Sequence, residues 1–428
     1  MGQSPTRRGV MLGVGAIGVG LAGQAYRERH GWVGLLSETV AISGDGQRHL
    51  LHAADLPRLR PGSRCLDTAS MLVRAAERRH LDALPDWVHR GGEHQDLLIS
   101  ALLDLWVLSE GLPASVAAWS PYWRFVWARD AAHVAVAFAA IGQLDRALAQ
   151  LVFLARVQEE SGWFAPRYDP WTEAPPDNRT RQLDSTAWVV WAADRLCALH
   201  PDETDRIHHI SGRMVRRSTA LLASLLDDSG LPPATPDYWE VKAPALSLGI
   251  AAPVVAALDA AARLGDVWTD RRLADLAGEA GARCRAEVTR SYEPRGWPRY
   301  LGGRGLDASM TFMAPPYQAT TPPGLSAALD RYRRLARRPA GGVAPGSTWR
   351  NDGISWTPAT AVLAQAYAHT GRAGSARTLL TWLENHRTAA GSLPEKVLHN
   401  GEPAAVAPLA WTAAVVVTTI GHLRSRPD

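Results

Sequence analysis

The chain has 428 residues, 46% hydrophobic and 21% charged, which gives apolar material for a large buried core and too little charge for a disordered chain. Its 46 Lys and Arg stand against 42 Asp and Glu, a net charge of +4 that is small for this length. The basic residues are scattered and form no long run, which argues against nucleic acid as a partner.

The N-terminus reads as an export signal. Ser4-Pro5-Thr6-Arg7-Arg8 leads into residues 9–26, which carry no charge and six glycines, with Gly23-Gln24-Ala25 as a small-x-small cleavage pattern. An Arg pair before a weakly apolar, Gly-rich segment resembles a twin-arginine signal, so residues 1–25 are expected to direct export and the mature protein to be secreted or at the cell surface. An uncleaved anchor is the alternative, and the glycines make it a poor spanning helix. A lead-in segment over 26–66 follows, with an alternating strand pattern only around 39–51.

From residue 67 onward, apolar residues recur at helical spacing. The periodicity predicts twelve helices, over 67–80, 95–110, 129–141, 144–157, 185–199, 205–227, 247–264, 268–290, 323–337, 358–370, 374–388 and 408–423. Three joints look alike: an apolar helix, a Gly, a few polar residues and an Ala-rich helix, with Gly142, Gly265 and Gly371 where a left-handed C-terminal cap is needed. The other connections, 158–184, 229–246, 291–321, 338–357 and 389–407, are long and rich in Pro, Gly, Trp and charge. Repeat arrays keep their joints short and regular. Tight joints alternating with long loops instead fit an all-α (α/α)6 barrel over 67–428, with functional loops gathered at one end.

The long loops carry the chemistry. There are 17 Trp against five Phe and nine Tyr. A large helical core accounts for some of these, but indoles also stack on the flat C–H faces of sugar rings. Tyr122-Trp123-Arg124-Phe125-Val126-Trp127-Ala128-Arg129-Asp130 runs into a helix start. There Arg129 and Asp130 present a forked donor and an acceptor suited to neighbouring sugar hydroxyls, or simply an acid favourable to the helix N-terminus. Further loops hold Arg179-Thr180-Arg181-Gln182-Leu183-Asp184, Asp237-Tyr238-Trp239-Glu240-Val241-Lys242 and Ser392-Leu393-Pro394-Glu395-Lys396. Glu240 and Glu395 each lie beside aromatic or Pro residues, surroundings that suit general acid–base work, although a solvated loop glutamate is the plainer alternative. The only two lysines, Lys242 and Lys396, follow these two glutamates closely, as a local need for a compact ammonium would produce. Cys65, Cys197 and Cys284 are far apart, Cys197 lies in an apolar run, and no metal-ligand spacing, phosphate loop or dinucleotide fingerprint occurs. Neither metal nor cofactor is expected, and the acids of 169–177 lack calcium-ligand spacing.

Taken together and in order, VWARD, RQLD, DYWE with the downstream ALSLGIAAPVVAALDAAARLG, and SLPEKV leading into APLAW resemble glycoside hydrolase family 15, the glucoamylase and glucodextranase family, over the whole mature length. LDASMTF at 306–312 matches a further segment of that family. The resemblance implies an (α/α)6 barrel that hydrolyses a terminal α-glucosidic bond with inversion. It makes Glu240 the general acid and Glu395 the general base, with carboxyls roughly 6.5–9.5 Å apart to admit a water. It makes Arg129 and Asp130 the holders of the non-reducing-end glucose, Trp127 and Trp239 pocket walls, and Arg350 in STWRND a further sugar-binding Arg; Tyr122, Trp123 and Trp411 are the other substrate-binding candidates.

Two departures bear on substrate preference. The family commonly has a Tyr four residues before the Trp of W-x-R-D, where this chain has Trp123, with Tyr122 one place away. It often follows the acid with a second carboxylate, where this chain has Val241. About 40 residues between signal and first barrel helix are too few for an added sugar-binding domain. Short α-gluco-oligosaccharides, α-1,6-linked such as isomaltose or α-1,4-linked, are therefore the expected substrates. A sugar-binding barrel without catalysis and a terpene-cyclase-like barrel using Asp184 are the alternatives.

Overall fold

The structure is a computed structural model that describes residues 34–425; the signal over 1–25 lies outside the described residues. The strand pattern of the lead-in forms an antiparallel hairpin, β1 (Thr39–Ile42) and β2 (Arg48–Leu51), with Thr39 opposite Leu51. Helices α1 (Met71–Asp82), the short α2 (Asp86–His89) and α3 (Gln95–Ser109) follow. Then come α4 (Ala128–Ala140), α5 (Leu144–Val157), α6 (Leu183–Leu199), α7 (Thr204–Ser224), α8 (Leu248–Val267) and α9 (Arg271–Tyr292). The last four are α10 (Leu325–Ala336), α11 (Thr357–His369), α12 (Ala373–Asn385) and α13 (Ala410–Ser425).

Burial sorts them into two layers. Helices α4, α6, α8, α11 and α13 are buried at almost every position of their first three turns, as helices apolar all round must be. Their neighbours α5, α7, α9, α10 and α12 bury one face only. The inner elements pack in sequence, α4 on α6, α6 on α8, and α11 on α13, and α13 returns to α4. The gap between α8 and α11 is filled by a 3-10 run, Ala308–Met313, all six residues of which are buried. This closed double ring is an (α/α)6 barrel. α8 is long and apolar enough to cross a membrane, yet it lies inside the ring.

The barrel keeps twelve elements, as expected, through two compensating differences. α1, expected as part of the barrel, packs outside it against α3, while the fourth inner position is the 3-10 run that reads as a loop in sequence. Ala314-Pro315-Pro316 stop that run after two turns, because proline has no N–H to continue it. The sixth hairpin joins α3 to α13, the two ends of the barrel. α3 is buried nearly throughout because β1, α1 and α12 cover its outer side.

Gly142 and Gly371 have φ of +74° and +76° and cap helices as expected. Gly265 does not. It lies within α8, where an added Cβ would stand 2.4 Å from the Ala274 backbone nitrogen, so it is needed for close approach of α9. Thr269 takes the left-handed turn instead, at φ +55°. In each of the middle hairpins the inner helix comes first, so the long loops all lead into inner-helix N-termini. A cavity of about 790 Å³ at the C-terminal ends of α6 and α8, lined by Arg195, Cys197, Arg263 and Gln318, lies at the opposite end from those loops.

Candidate active site

The first turns of the inner helices, whose N-termini carry partial positive charge, surround one end of the barrel axis and bring the loop motifs together. Trp127 caps α4, and Arg129 and Asp130 follow in its first turn, both buried. Arg129 donates from Nη2 to Asp130 Oδ2 at 3.0 Å, and its Nη1 lies 4.0 Å from Oδ2 of Asp184 in the first turn of α6. Its guanidinium sits 4.8 Å above the ring of Trp411, in the first turn of α13. Burial disfavours the Arg129 cation, but Asp130, Asp184 and Glu240 outweigh it and raise its pKa. Burial raises the Asp130 carboxyl against the pull of Arg129 and pushes Asp184 up to about 7. Arg129 Nε and Nη1, Asp184 Oδ1 and Trp411 Nε1 are buried without a hydrogen-bond partner among the described residues. Buried polar atoms are almost always paired, so these donors and this acceptor are available to a polar guest.

One turn deeper, His133 forms a floor. Its Nδ1 donates to the Arg129 carbonyl at 2.8 Å, which leaves Nε2 to accept from the Tyr317 hydroxyl at 3.1 Å. Trp188, Trp191, Tyr317 and Trp411 ring it at centroid distances of 5.0–5.7 Å. Burial depresses its pKa to about 3, so the imidazole is neutral.

Glu240 is held from two sides. Trp127 Nε1 donates to Oε1 at 2.7 Å, and Arg179 forms an ion pair with Oε2. Arg179 also meets Asp177 at 3.1 Å, and Asp177 pairs with Arg167 at 2.5 Å. Glu240 has φ of +54°, a left-handed conformation that costs a side-chain-bearing residue about 1–2 kcal/mol. The loop that carries it is anchored by a buried ion-pair network. Arg299 donates to both carboxylate oxygens of Asp237 at 2.8 and 2.7 Å and to Asp307 at 2.6 Å. Tyr238 donates its hydroxyl to Asp307 at 2.8 Å, and the Arg299 guanidinium lies 3.5 Å over the Trp239 ring.

A run of contacts leads from Glu240 to Glu395. Trp239 packs edge-on against Trp349 at 4.4 Å, and Trp349 against Trp356 at 5.6 Å. Trp356 pairs with Lys396 in a small sheet of β3 (Ser355–Trp356), β4 (Lys396–Val397) and β5 (Pro403–Ala404). The buried Lys396 ammonium lies 4.4 Å over the Trp356 ring and 3.6 Å from Glu395 Oε2. That oxygen is buried and accepts no hydrogen bond among the described residues.

The remaining predicted residues lie further out. Tyr122 and Trp123 are half-buried; the Tyr122 carbonyl accepts from Arg167 at 2.6 Å, and Trp123 packs on Ala118, Val406 and Leu409. Arg350 is exposed, its guanidinium 5.7 Å from Trp349. The two lysines part company: Lys396 is buried beside Glu395, whereas Lys242 is exposed. Arg179, Arg299, Asp237, Asp307 and His133 were not foreseen as site residues. The RTRQLD motif carried a signal for Arg179 and Asp184; buried partners such as Arg299 left none. The three cysteines are buried free thiols, and burial pushes Cys197 up to about 11. No group of three or more His, Cys, Asp or Glu is gathered to hold a metal among the described residues. Asp169 instead accepts backbone N–H groups of its own turn, from Trp171 at 3.0 Å and Thr172 at 2.9 Å.

No family sequence model and no curated protein matches the chain. Solved structures do. The barrel superimposes on a wild-type glycosidase with a TM-score of 0.63 at 16% identity, over 82% of this chain and 99% of that one. A bacterial glucoamylase complexed with acarbose gives 0.65 at 17% identity, over 81% of this chain and 57% of the other. The glucoamylase of Saccharomycopsis fibuligera gives 0.60 at 14% identity, over 77% and 94%. The chain has the six-hairpin barrel fold of glucoamylases. In that barrel, Trp127, Arg129, Asp130, Trp411, Glu240 and Glu395 all belong to segments leading into or opening inner helices.

Proposed function

We propose that the protein is an exported glycoside hydrolase that removes glucose from the non-reducing end of short α-glucosides with inversion. The observation that carries this reading is the setting of Glu240, held by Trp127 and Arg179 beside a buried Arg129–Asp130–Asp184 cluster with unpartnered donors. The cluster offers forked donors and carboxylate acceptors to the hydroxyls of a terminal glucose, and Trp411 and Trp239 offer apolar faces to its ring.

In the reaction, Glu240 enters protonated and gives its proton to the glycosidic oxygen as the C1–O bond breaks. Glu395 takes a proton from a water whose oxygen attacks C1 from the opposite face, and β-glucose leaves with the freed alcohol. Arg179 must release Oε2 for Glu240 to hold that proton, and Asp177 stands ready to keep the guanidinium. Among the structural neighbours, one glycosidase has two forms in which a glutamate is replaced by alanine, one of them in complex with glucose. Those two positions are separated by nearly the same length of chain as Glu240 and Glu395, which supports the pairing. A terpene-cyclase-like use of Asp184 is disfavoured by the charged surroundings, since Arg129, Asp130 and Glu240 suit a sugar better than a hydrocarbon.

The test is to incubate the mature protein with maltose, isomaltose and trehalose and follow released glucose by NMR. β-Glucose appearing first, and vanishing in Glu240→Gln and Glu395→Gln, is the expected result. An α-anomeric first product would sink the mechanism, and sugar binding without glucose release would point to a binding barrel. Export is tested by whether Arg7→Lys with Arg8→Lys retains the protein inside the cell.

A further inference from the structure

Among the described residues the Glu395 carboxylate accepts no hydrogen bond and has Lys396, at 3.6 Å, as its ion-pair partner, so its direction is set by its backbone. What holds that backbone is therefore part of the site. On one side, Glu395 N donates to Val406 O at 2.8 Å and Thr357 N donates to Glu395 O at 3.0 Å. On the other, the chain just before Glu395 meets a buried charged network shared by α3 and the lead-in.

Asp104, in the middle of α3 and fully buried, accepts from the Leu393 backbone N–H at 3.1 Å through Oδ2 and from Ser392 Oγ at 2.7 Å through Oδ1. Arg64 of the lead-in donates to the same Oδ1 from Nε at 2.9 Å and from Nη2 at 2.8 Å. Arg64 also reaches Ser100 Oγ at 3.0 Å and Ala390 O at 3.3 Å, and Thr39 of β1 meets Ser392 Oγ at 2.7 Å. The lead-in holds the far flank as well: Ser37 Oγ donates to Ala407 O at 2.7 Å and Leu36 N to Ala405 O at 2.8 Å. Both arms of the segment that carries Glu395 are thus fastened to residues 36–64.

A buried ion pair adds little stability over well-packed apolar side chains, but it fixes direction, since every lone pair and N–H must meet its partner. We propose that Arg64 is a positioning residue for Glu395, acting through Asp104 to fix Ser392 and Leu393, so that the lead-in is a working part of the active site. The inference rests on the assignment of Glu395 as the base.

The test compares wild type, Arg64→Lys and Ser392→Ala on isomaltose and on α-glucosyl fluoride, whose fluoride departs with little help from an acid and so leans on the base. Lys keeps the charge but loses the fork, and Ser392→Ala removes the two hydroxyl hydrogen bonds, to Asp104 and with Thr39, while the Arg64–Asp104 ion pair stays. The expected result is a fall in kcat on the order of tenfold or more for Arg64→Lys on both substrates, a smaller fall for Ser392→Ala, and KM and glucose binding nearly unchanged. Folded variants with a lower Tm but wild-type kcat, or a loss carried by KM, would overturn the proposal. If Arg64→Lys does not fold, Ser392→Ala decides by the same criterion. If the wild type hydrolyses neither substrate, the catalytic reading has failed, and hydrogen exchange of the Leu393, Glu395 and Leu409 amides tests the clamp by itself. Faster exchange in the variants is expected, and unchanged exchange would refute it.

Discussion

Trp127 and Glu240, 113 residues apart in sequence, are joined by a 2.7 Å hydrogen bond from the indole Nε1 to the carboxylate Oε1. The bond ties the helix that presents Arg129 and Asp130 to the loop that presents the proposed acid, so the proposed sugar-holding pair and the proposed acid share one anchor. A hydrogen bond to a charged group is worth about 1.5–3 kcal/mol. Trp127→Phe keeps the wall and loses the donor. It is expected to lower kcat by about tenfold or more while KM changes less. Steady-state kinetics on the preferred α-glucoside would check this, and a change confined to KM would make Trp127 a wall alone.

The left-handed backbone of Glu240 gives a second prediction. Glu240→Ala and Glu240→Gly both remove the carboxylate and its pairing with Arg179, and differ only in whether a Cβ remains at φ +54°. The glycine variant is expected to be about 1 kcal/mol more stable than the alanine variant. Urea unfolding of the two proteins measures the difference directly. Equal stability would mean that the loop relaxes once the side chain is gone.

Asp184 gives a pH dependence. Its carboxyl titrates at about 7 in the folded protein, mainly through burial, with Arg129 opposing, against about 3.9 when unfolded. The folded chain therefore binds more protons between these values, and Asp184 lowers stability as pH rises through that window, with the loss complete above the folded pKa. Asp130 is also raised, but it is present in both wild type and Asp184→Asn and cancels in their difference. Wild-type Tm minus Asp184→Asn Tm is expected to fall from pH 4.5 to pH 7.5. A flat difference would show that Asp184 does not titrate there.

The architecture was legible because the helices are long and periodic, and the motifs stood out as Trp, Arg and acid in irregular segments. Ala308–Met313 was not legible as a barrel element: six residues, all buried, leave no polar face to mark a period. Gly265 reads like Gly142 and Gly371 in its motif, but its reason is the approach of Ala274, which is remote from that local pattern. Arg299 and Arg64 look like surface arginines in sequence, and only the fold reveals the aspartates they meet. Lys242 and Lys396 show the same limit from the other side, since one shared pattern covers an exposed residue and a buried one.

Arg299 supports the last prediction. It is buried with Asp237 and Asp307, and its guanidinium serves both carboxylates while lying on the Trp239 ring. Ser247 adds a 2.7 Å bond to Asp237, and the Ser309 backbone a 2.8 Å bond to Asp307, yet among the described residues only Arg299 is ion-paired to the two acids. Arg299→Met keeps much of the volume and leaves two buried carboxylates without a cation. A loss of about 3–5 kcal/mol is expected, measured by urea unfolding. Arg299→Lys is expected to recover only part of it, because an ammonium cannot fork between two acids and stack on the indole together. Activity should fall further than the folded fraction explains, since Asp237 and Trp239 set the path of the chain into Glu240. If folded Arg299→Met turns over at the wild-type rate, the loop holds Glu240 without this network, and the left-handed turn has its cause elsewhere.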